Sequence, residues 1–161
     1  MKPKVYLETT VISYLMARPS RDLRTAAHQQ ATQDWWHDRR VAFDLYASQF
    51  VIQEASQGDK AAVEERLKVL EETTLLAVTD EALALAEAIV SRRLVPQKAT
   101  VDAAHIAVAT TNAMDYLLTW NLKHIANAVI RGKVESLCRA EGYEPPIICT
   151  PEELMEEVDD G

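Results

Sequence analysis

The chain reads as an α/β protein: a three-layer α/β/α sandwich around a central, mainly parallel sheet of about five strands. Three observations carry that expectation. Short apolar runs such as Val5-Tyr6-Leu7, Tyr116-Leu117-Leu118 and Ile147-Ile148-Cys149 recur along the sequence. Longer stretches with helical start and stop signals separate them, as in strands joined by crossover helices. No repeat, linker or low-complexity segment interrupts the alternation. Residues 1–155 therefore read as a single domain, and residues 156–161 as an acidic tail that frays.

Each element has a local cause. The first strand, residues 4–8, ends at the charge of Glu8, and Thr9-Thr10 opens a helix to about residue 17. Arg18-Pro19-Ser20 interrupts it, with Ser20 the expected N-cap of a long polar helix over residues 21–40. Trp35 and Trp36 near its end are expected to pack onto the body or supply a partner contact. Residues 41–47 alternate as a second strand, Ser48 caps a short helix to residue 57, and Gly58 stops it. Asp59 caps the next helix, which runs to about residue 72. A third strand covers residues 75–78. Thr79-Asp80-Glu81 then opens a helix to about residue 93, its two early acids suiting the helix dipole.

Pro96 marks a loop, and Thr100 is the expected cap of a helix closed by Asn112. Residues 116–119 form the fourth strand. Residues 123–141 read as helical, with Gly132 a weak point and Gly142 the end. Pro145-Pro146 leads into the fifth strand, residues 147–149. Thr150-Pro151-Glu152-Glu153 then carries a helix-start signature: a Thr cap, Pro at the first position and Glu three residues after the Thr.

Bulk properties narrow the function. An apolar fraction of 48% over 161 residues is enough for a full core. No run approaches the ~20 apolar residues of a membrane span, and the N-terminus lacks the apolar core of a signal peptide. Cys138 and Cys149, the only cysteines, have no metal or redox spacing, so a reduced, cytoplasmic chain is expected. A net charge of −8 argues against binding nucleic acid by a bulk positive field, but leaves room for a local catalytic site.

Acidic groups then gather at one predicted edge. Glu8 ends the first strand, Glu54 lies in the helix after the second, and Asp102 lies in the first turn of the helix opened by Thr100. In open α/β sheets the carboxyl edge of the strands is where ligands bind. Glu54 and Asp102 lie beside or within otherwise apolar helical stretches, where a carboxylate is costly unless paired or metal-bound. Grouped carboxylates need a cation. Oxygen ligands without a Cys/His cluster suit Mg²⁺ or Mn²⁺, which support displacement at phosphorus. Taken singly, each acid has a plain structural reading as a cap, turn or solvated residue. His105, three residues after Asp102 on the same helix face, could touch the site, and reads first as a hydrogen-bonded, partly buried histidine. His124 reads as positioning the turn at Asn121, and Asp115 as a turn residue.

These residues resemble a known family. Tyr6-Leu7-Glu8-Thr9-Thr10, Glu54, Asp102-Ala103-Ala104-His105-Ile106-Ala107-Val108-Ala109 and Asp115-Tyr116-Leu117-Leu118-Thr119-Trp120-Asn121 are similar, in order and separation, to the PIN-domain proteins. Within that family the chain looks like the small VapC toxin type, over nearly its whole length. It departs in having Glu8 where the family's first acid is Asp, and Asn121 where its last acid stands. It looks like a subgroup with Glu first and Thr-Trp-Asn last.

The resemblance implies a Mg²⁺- or Mn²⁺-dependent endoribonuclease, the toxin of a pair with a small antitoxin, and a homodimer. It places Glu8, Glu54, Asp102 and Asn121 in the catalytic set. Glu8 and Asp102 are expected to ligate the metal, and Glu54 to ligate it or orient the attacking water. Asn121 would complete the shell through a water or its carbonyl. Thr9, Thr10 and Thr119 would place hydroxyls near the scissile phosphate. Two other readings stay open: a PIN-fold module that binds RNA or protein without cutting, and a phosphatase of another doubly wound family.

Overall fold

The structure is a computed structural model that describes residues 1–155. Five strands, β1 (Lys4–Leu7), β2 (Asp44–Ala47), β3 (Thr74–Leu75), β4 (Tyr116–Leu118) and β5 (Ile147–Cys149), form one all-parallel sheet in the order β3-β2-β1-β4-β5. Seven helices accompany them among the described residues: α1 (Thr9–Met16), α2 (Leu23–Asp38), α3 (Gln49–Ala55), α4 (Lys60–Leu70), α5 (Asp80–Ser91), α6 (Thr100–Thr111) and α7 (Ala128–Ala140). Helices α1, α3 and α4 pack on one another, as do α1 and α2, while α5 packs on α6 and α7. The expected α/β/α architecture with a parallel five-stranded sheet is the one observed. The tail expected at residues 156–161 lies outside the described residues.

The topology sets the site. The chain winds from β1 outward to β3, then jumps to β4 on the other side of β1 and continues to β5. The direction of winding thus reverses between β1 and β4, and a crevice opens at their carboxyl ends. β1 is central, with Val5, Tyr6 and Leu7 at 0% exposure, as expected of a parallel strand covered on both faces. The ladder runs one bond past the strand ends: Glu8 N–H donates to the Leu118 carbonyl and Thr119 N–H to the Cys149 carbonyl. Glu8 and Thr119 are therefore held by the sheet itself.

Local chemistry explains where the elements start. The side chains of Ser48, Asp59 and Thr79 cap α3, α4 and α5 as expected. Asp22, not Ser20, caps α2, at 2.8 Å from Thr25 N–H; Ser20 instead accepts from Asp22 N–H and donates its backbone N–H to Gln29. Thr100 does not cap α6. A 3₁₀ turn over Gln97–Ala99 feeds straight into the helix, and the Thr100 hydroxyl donates back to the Gln97 carbonyl. β3 covers only Thr74–Leu75, short of the expected residues 75–78, and is an edge strand paired to β2 alone.

The helix expected over residues 123–141 begins only at Ala128. Asn121 first winds the chain into a tight turn, accepting the N–H groups of Ile125 and Ala126 on its backbone carbonyl, and Asn127 then caps α7. Gly132 does not break α7. Gly142, with φ +91°, ends the segment in a conformation that suits glycine. Thr150 and Glu153 form the reciprocal capping box, but they close a turn rather than a regular helix among the described residues.

Trp35 and Trp36 are buried within the chain, so they do not supply a dimer contact. Cys138 and Cys149 are free and buried, and burial pushes the Cys149 thiol up to about 12. Asp115 accepts Lys4 N–H at 2.7 Å, at the opposite end of the sheet from the acids.

Candidate metal centre

Glu8 follows β1 directly and caps α1, the Thr10 N–H meeting its Oε2 at 3.2 Å. A glutamate can serve here because Thr10 and Thr119 both donate hydroxyls to its other oxygen, Oε1, at 2.5 and 2.6 Å. The side chain is only 2% exposed. Burial pushes its pKa above the ordinary carboxyl value, against the opposing pull of the Thr10 and Thr119 hydrogen bonds. Three donors aimed at one carboxylate favour its ionised form, yet desolvation still penalises that charge. Such a group is suited to a cation.

Glu54 reaches the same place from α3. Its Oε1 accepts the Thr9 hydroxyl at 2.7 Å and pairs with His105 Nε2 at 2.6 Å. Burial raises its pKa, but the hydrogen bonds from His105 and Thr9 outweigh that and leave the carboxyl below its ordinary value. His105 arrives from α6 and is completely buried. Ligand atoms of Glu8, Glu54 and His105 all lie within 4.8 Å of one another.

Asp102 stands half-buried in the first turn of α6. Burial raises its pKa, partly countered by the Asn121 amide, while the Glu54 charge adds to the rise. Among the described residues it is not part of the compact group of ligand atoms; the third member of that group is His105. Asn121 is tethered on both sides: its N–H donates to the Thr119 hydroxyl at 2.9 Å, and its Oδ1 accepts His124 N–H at 3.0 Å. The Asn121 carbonyl thus shapes the turn, and its amide group acts on Asp102.

The fold brings Glu8 and Glu54 together with all three expected hydroxyls. Thr9 holds Glu54, while Thr10 and Thr119 hold Glu8, so each hydroxyl positions a carboxylate. Tyr6 and Ser48, which carry no expected site role, and His105, expected at most to touch the site, complete it. Tyr6 Oη lies 2.6 Å from His105 Nδ1 and 2.8 Å from Ser48 Oγ, and His105 itself touches Glu54. The available signal was His105 on the face of Asp102; for Tyr6, an aromatic in a core strand, sequence offers none. The donor set fits a hard divalent ion, since a buried carboxylate and a half-buried one converge with no thiolate present.

Trp120 lies between Thr119 and Asn121 and anchors this edge. Its N–H donates to Thr10 Oγ1 at 2.8 Å and its indole Nε1–H to Thr32 Oγ1 at 2.7 Å. Its ring stacks on His28 with centroids 4.1 Å apart.

The fold is similar to that of a chain in the crystal structure of VapBC2 from Rickettsia felis bound to a DNA fragment from their promoter. That match has a TM-score of 0.51 and 12% identity, and covers 91% of this chain and 97% of the other. No protein-family model matches the chain, and no curated protein matches it in sequence. The likeness is one of fold.

Proposed function

We propose that this chain is a Mg²⁺- or Mn²⁺-dependent endoribonuclease that hydrolyses RNA phosphodiester bonds. The observation that carries the reading is the buried Glu8 carboxylate, set beside Glu54 at the sheet's switch point and held by three hydrogen bonds. Glu8, Glu54 and Asp102 would hold the ion; Asp102 lies near enough to feel the Glu54 charge and would reach the ion directly or through a water. When bound, the ion supplies Lewis-acid activation of water and neutralises charge at phosphorus. The protein's own part is positioning. Thr10 and Thr119 fix Glu8, Thr9 fixes Glu54, and the N-terminus of α1 presents a favourable end for an anionic phosphate.

The likeness in fold to a chain of VapBC2 supports a toxin role, with a small antitoxin as partner. A homodimer would use surfaces other than Trp35-Trp36. Asp102→Asn tests the enzyme. It should lower Mn²⁺-dependent RNA cleavage by about a hundredfold or more, with the circular dichroism spectrum unchanged. Cleavage by Asp102→Asn at the wild-type rate overturns the reading. Asn121, at the place of the family's last acid, favours a second reading as a PIN-fold module that binds RNA or protein without cutting. Calorimetry separates the two: no heat with millimolar Mg²⁺ or Mn²⁺ favours the module.

A further inference from the structure

We propose that His105 is a positioning residue, locked as its Nε2–H tautomer by Tyr6 and Ser48, that orients Glu54 for the ion and does not itself ligate it. The inference rests on the metal-site reading above and deepens it. The compact group of Glu8, Glu54 and His105 permits two arrangements. His105 Nε2 either carries a proton and donates to Glu54, or is bare and binds the ion.

The hydrogen bonds behind His105 decide between them. Phe50 backbone N–H, an obligatory donor, meets Ser48 Oγ at 3.3 Å. Ser48 is fully buried, and among the described residues Tyr6 Oη, at 2.8 Å, is the one acceptor within reach of its hydroxyl hydrogen. If Ser48 donates to Tyr6, the Tyr6 hydrogen must go to His105 Nδ1 at 2.6 Å. Nδ1 is then an acceptor, and neutral imidazole carries its one proton on Nε2, which faces Glu54 Oε1 at 2.6 Å. This direction of donation, from Phe50 through Ser48, Tyr6 and His105 to Glu54, leaves no buried hydrogen unpaired. The reverse direction strands the Ser48 hydrogen in the core, at a cost of roughly 1–3 kcal/mol. Burial also raises the Tyr6 pKa far above its ordinary value, so the phenol stays a donor.

The consequence is at Glu54. Its Oε1 is occupied by His105 and Thr9, and among the described residues no hydrogen bond reaches Oε2. One carboxylate oxygen is thus pinned and the other left open for the ion. The shell becomes one of oxygens only, which favours Mg²⁺ and Mn²⁺ over Zn²⁺.

Long-range ¹H–¹⁵N spectra of the ¹⁵N-labelled full chain test this without reference to activity. His105 should show a protonated Nε2 and a bare Nδ1, both metal-free and with Mg²⁺ added. An Nδ1–H tautomer, or loss of the Nε2 proton on adding Mg²⁺, overturns the proposal. Calorimetry provides the second arm. His105→Gln, which restores an amide donor, should bind Mg²⁺ within about threefold of wild type, and His105→Leu about tenfold or more weakly. Equal losses in both variants overturn it. Tyr6→Phe should unlock the ring, so that Nδ1–H signal appears and the ratio of Zn²⁺ to Mn²⁺ affinity rises; an unchanged tautomer and ratio overturn the lock. RNA left uncut by a chain that binds Mg²⁺ with His105 in this tautomer supports the present proposal and overturns the nuclease reading alone.

Discussion

Glu8 places a formal charge in a region where only 2% of its surface meets water. Its folded pKa is raised, so folding tightens its hold on a proton. The metal-free protein therefore loses stability as pH rises from the ordinary value of 4.5 through the folded value. Asp102 acts with the same sign, from 3.8 upward. Glu54 acts oppositely: its contribution is present above 4.5 and is lost as pH falls through its lowered value. Replacing Glu8 by Gln removes the titrating charge, but it sets a buried amide NH2 against Thr10 N–H where Oε2 had accepted at 3.2 Å. Glu8→Gln should thus flatten the fall in stability of the metal-free chain as pH rises above 4.5. Urea unfolding of both chains in chelator at several pH values above 4.5 checks it, and an unchanged pH slope in Glu8→Gln would contradict the account. Thr119→Val should destabilise the chain. It strands Asn121 N–H and takes a donor from Glu8, costing about 1–3 kcal/mol.

At the scale of elements, the site depends on how the segment after β4 is clamped to α1 and α2. Trp120 does this with its backbone, its indole N–H and its stacked ring. Trp120→Phe keeps a ring in place but drops the bond to Thr32, and should cost about 1 kcal/mol. Trp120→Ala should cost about 3–5 kcal/mol and speed amide exchange in α2, where Thr32 and His28 lose their cover. Equal midpoints for the two variants in denaturant would show that the ring is not what holds the segment. The elements themselves were legible wherever a cause is local. Ser48, Asp59 and Thr79 announce their helices because a short acceptor side chain beside its own helix start needs nothing from the rest of the fold. Ser20 and Thr100 misled because distant or preceding structure took their place. Gln29 claims the Ser20 N–H from nine residues away, and a 3₁₀ turn leads into α6 without a cap. The late start of α7 follows from the turn around Asn121, a backbone event that helical composition cannot reveal.

Across the whole molecule, the approach of Glu54 to Glu8 was readable as two acids at one sheet edge, because strand ends in a parallel sheet share a side. What the sequence could not reveal is the set of contacts behind them. Tyr6 and Ser48 look like an ordinary strand aromatic and an ordinary cap, and only the packing of α6 against β1 turns them into partners of His105. The carboxylates couple this local site to global stability, because an ion that binds only the folded chain stabilises all of it. At a free concentration a hundred times its Kd, that gain is about 2.7 kcal/mol. The gain must also depend on pH, since the ion competes with a proton that Glu8 and Asp102 bind more tightly in the metal-free fold than in the unfolded chain. Mn²⁺ should therefore raise the thermal midpoint more at pH 8 than at pH 5.5. In Glu8→Gln, where the buried charge is gone, the increment should shrink towards zero at both values. An increment that is the same at pH 5.5 and pH 8, or that survives in Glu8→Gln, would mean that the ion binds elsewhere on an acidic surface.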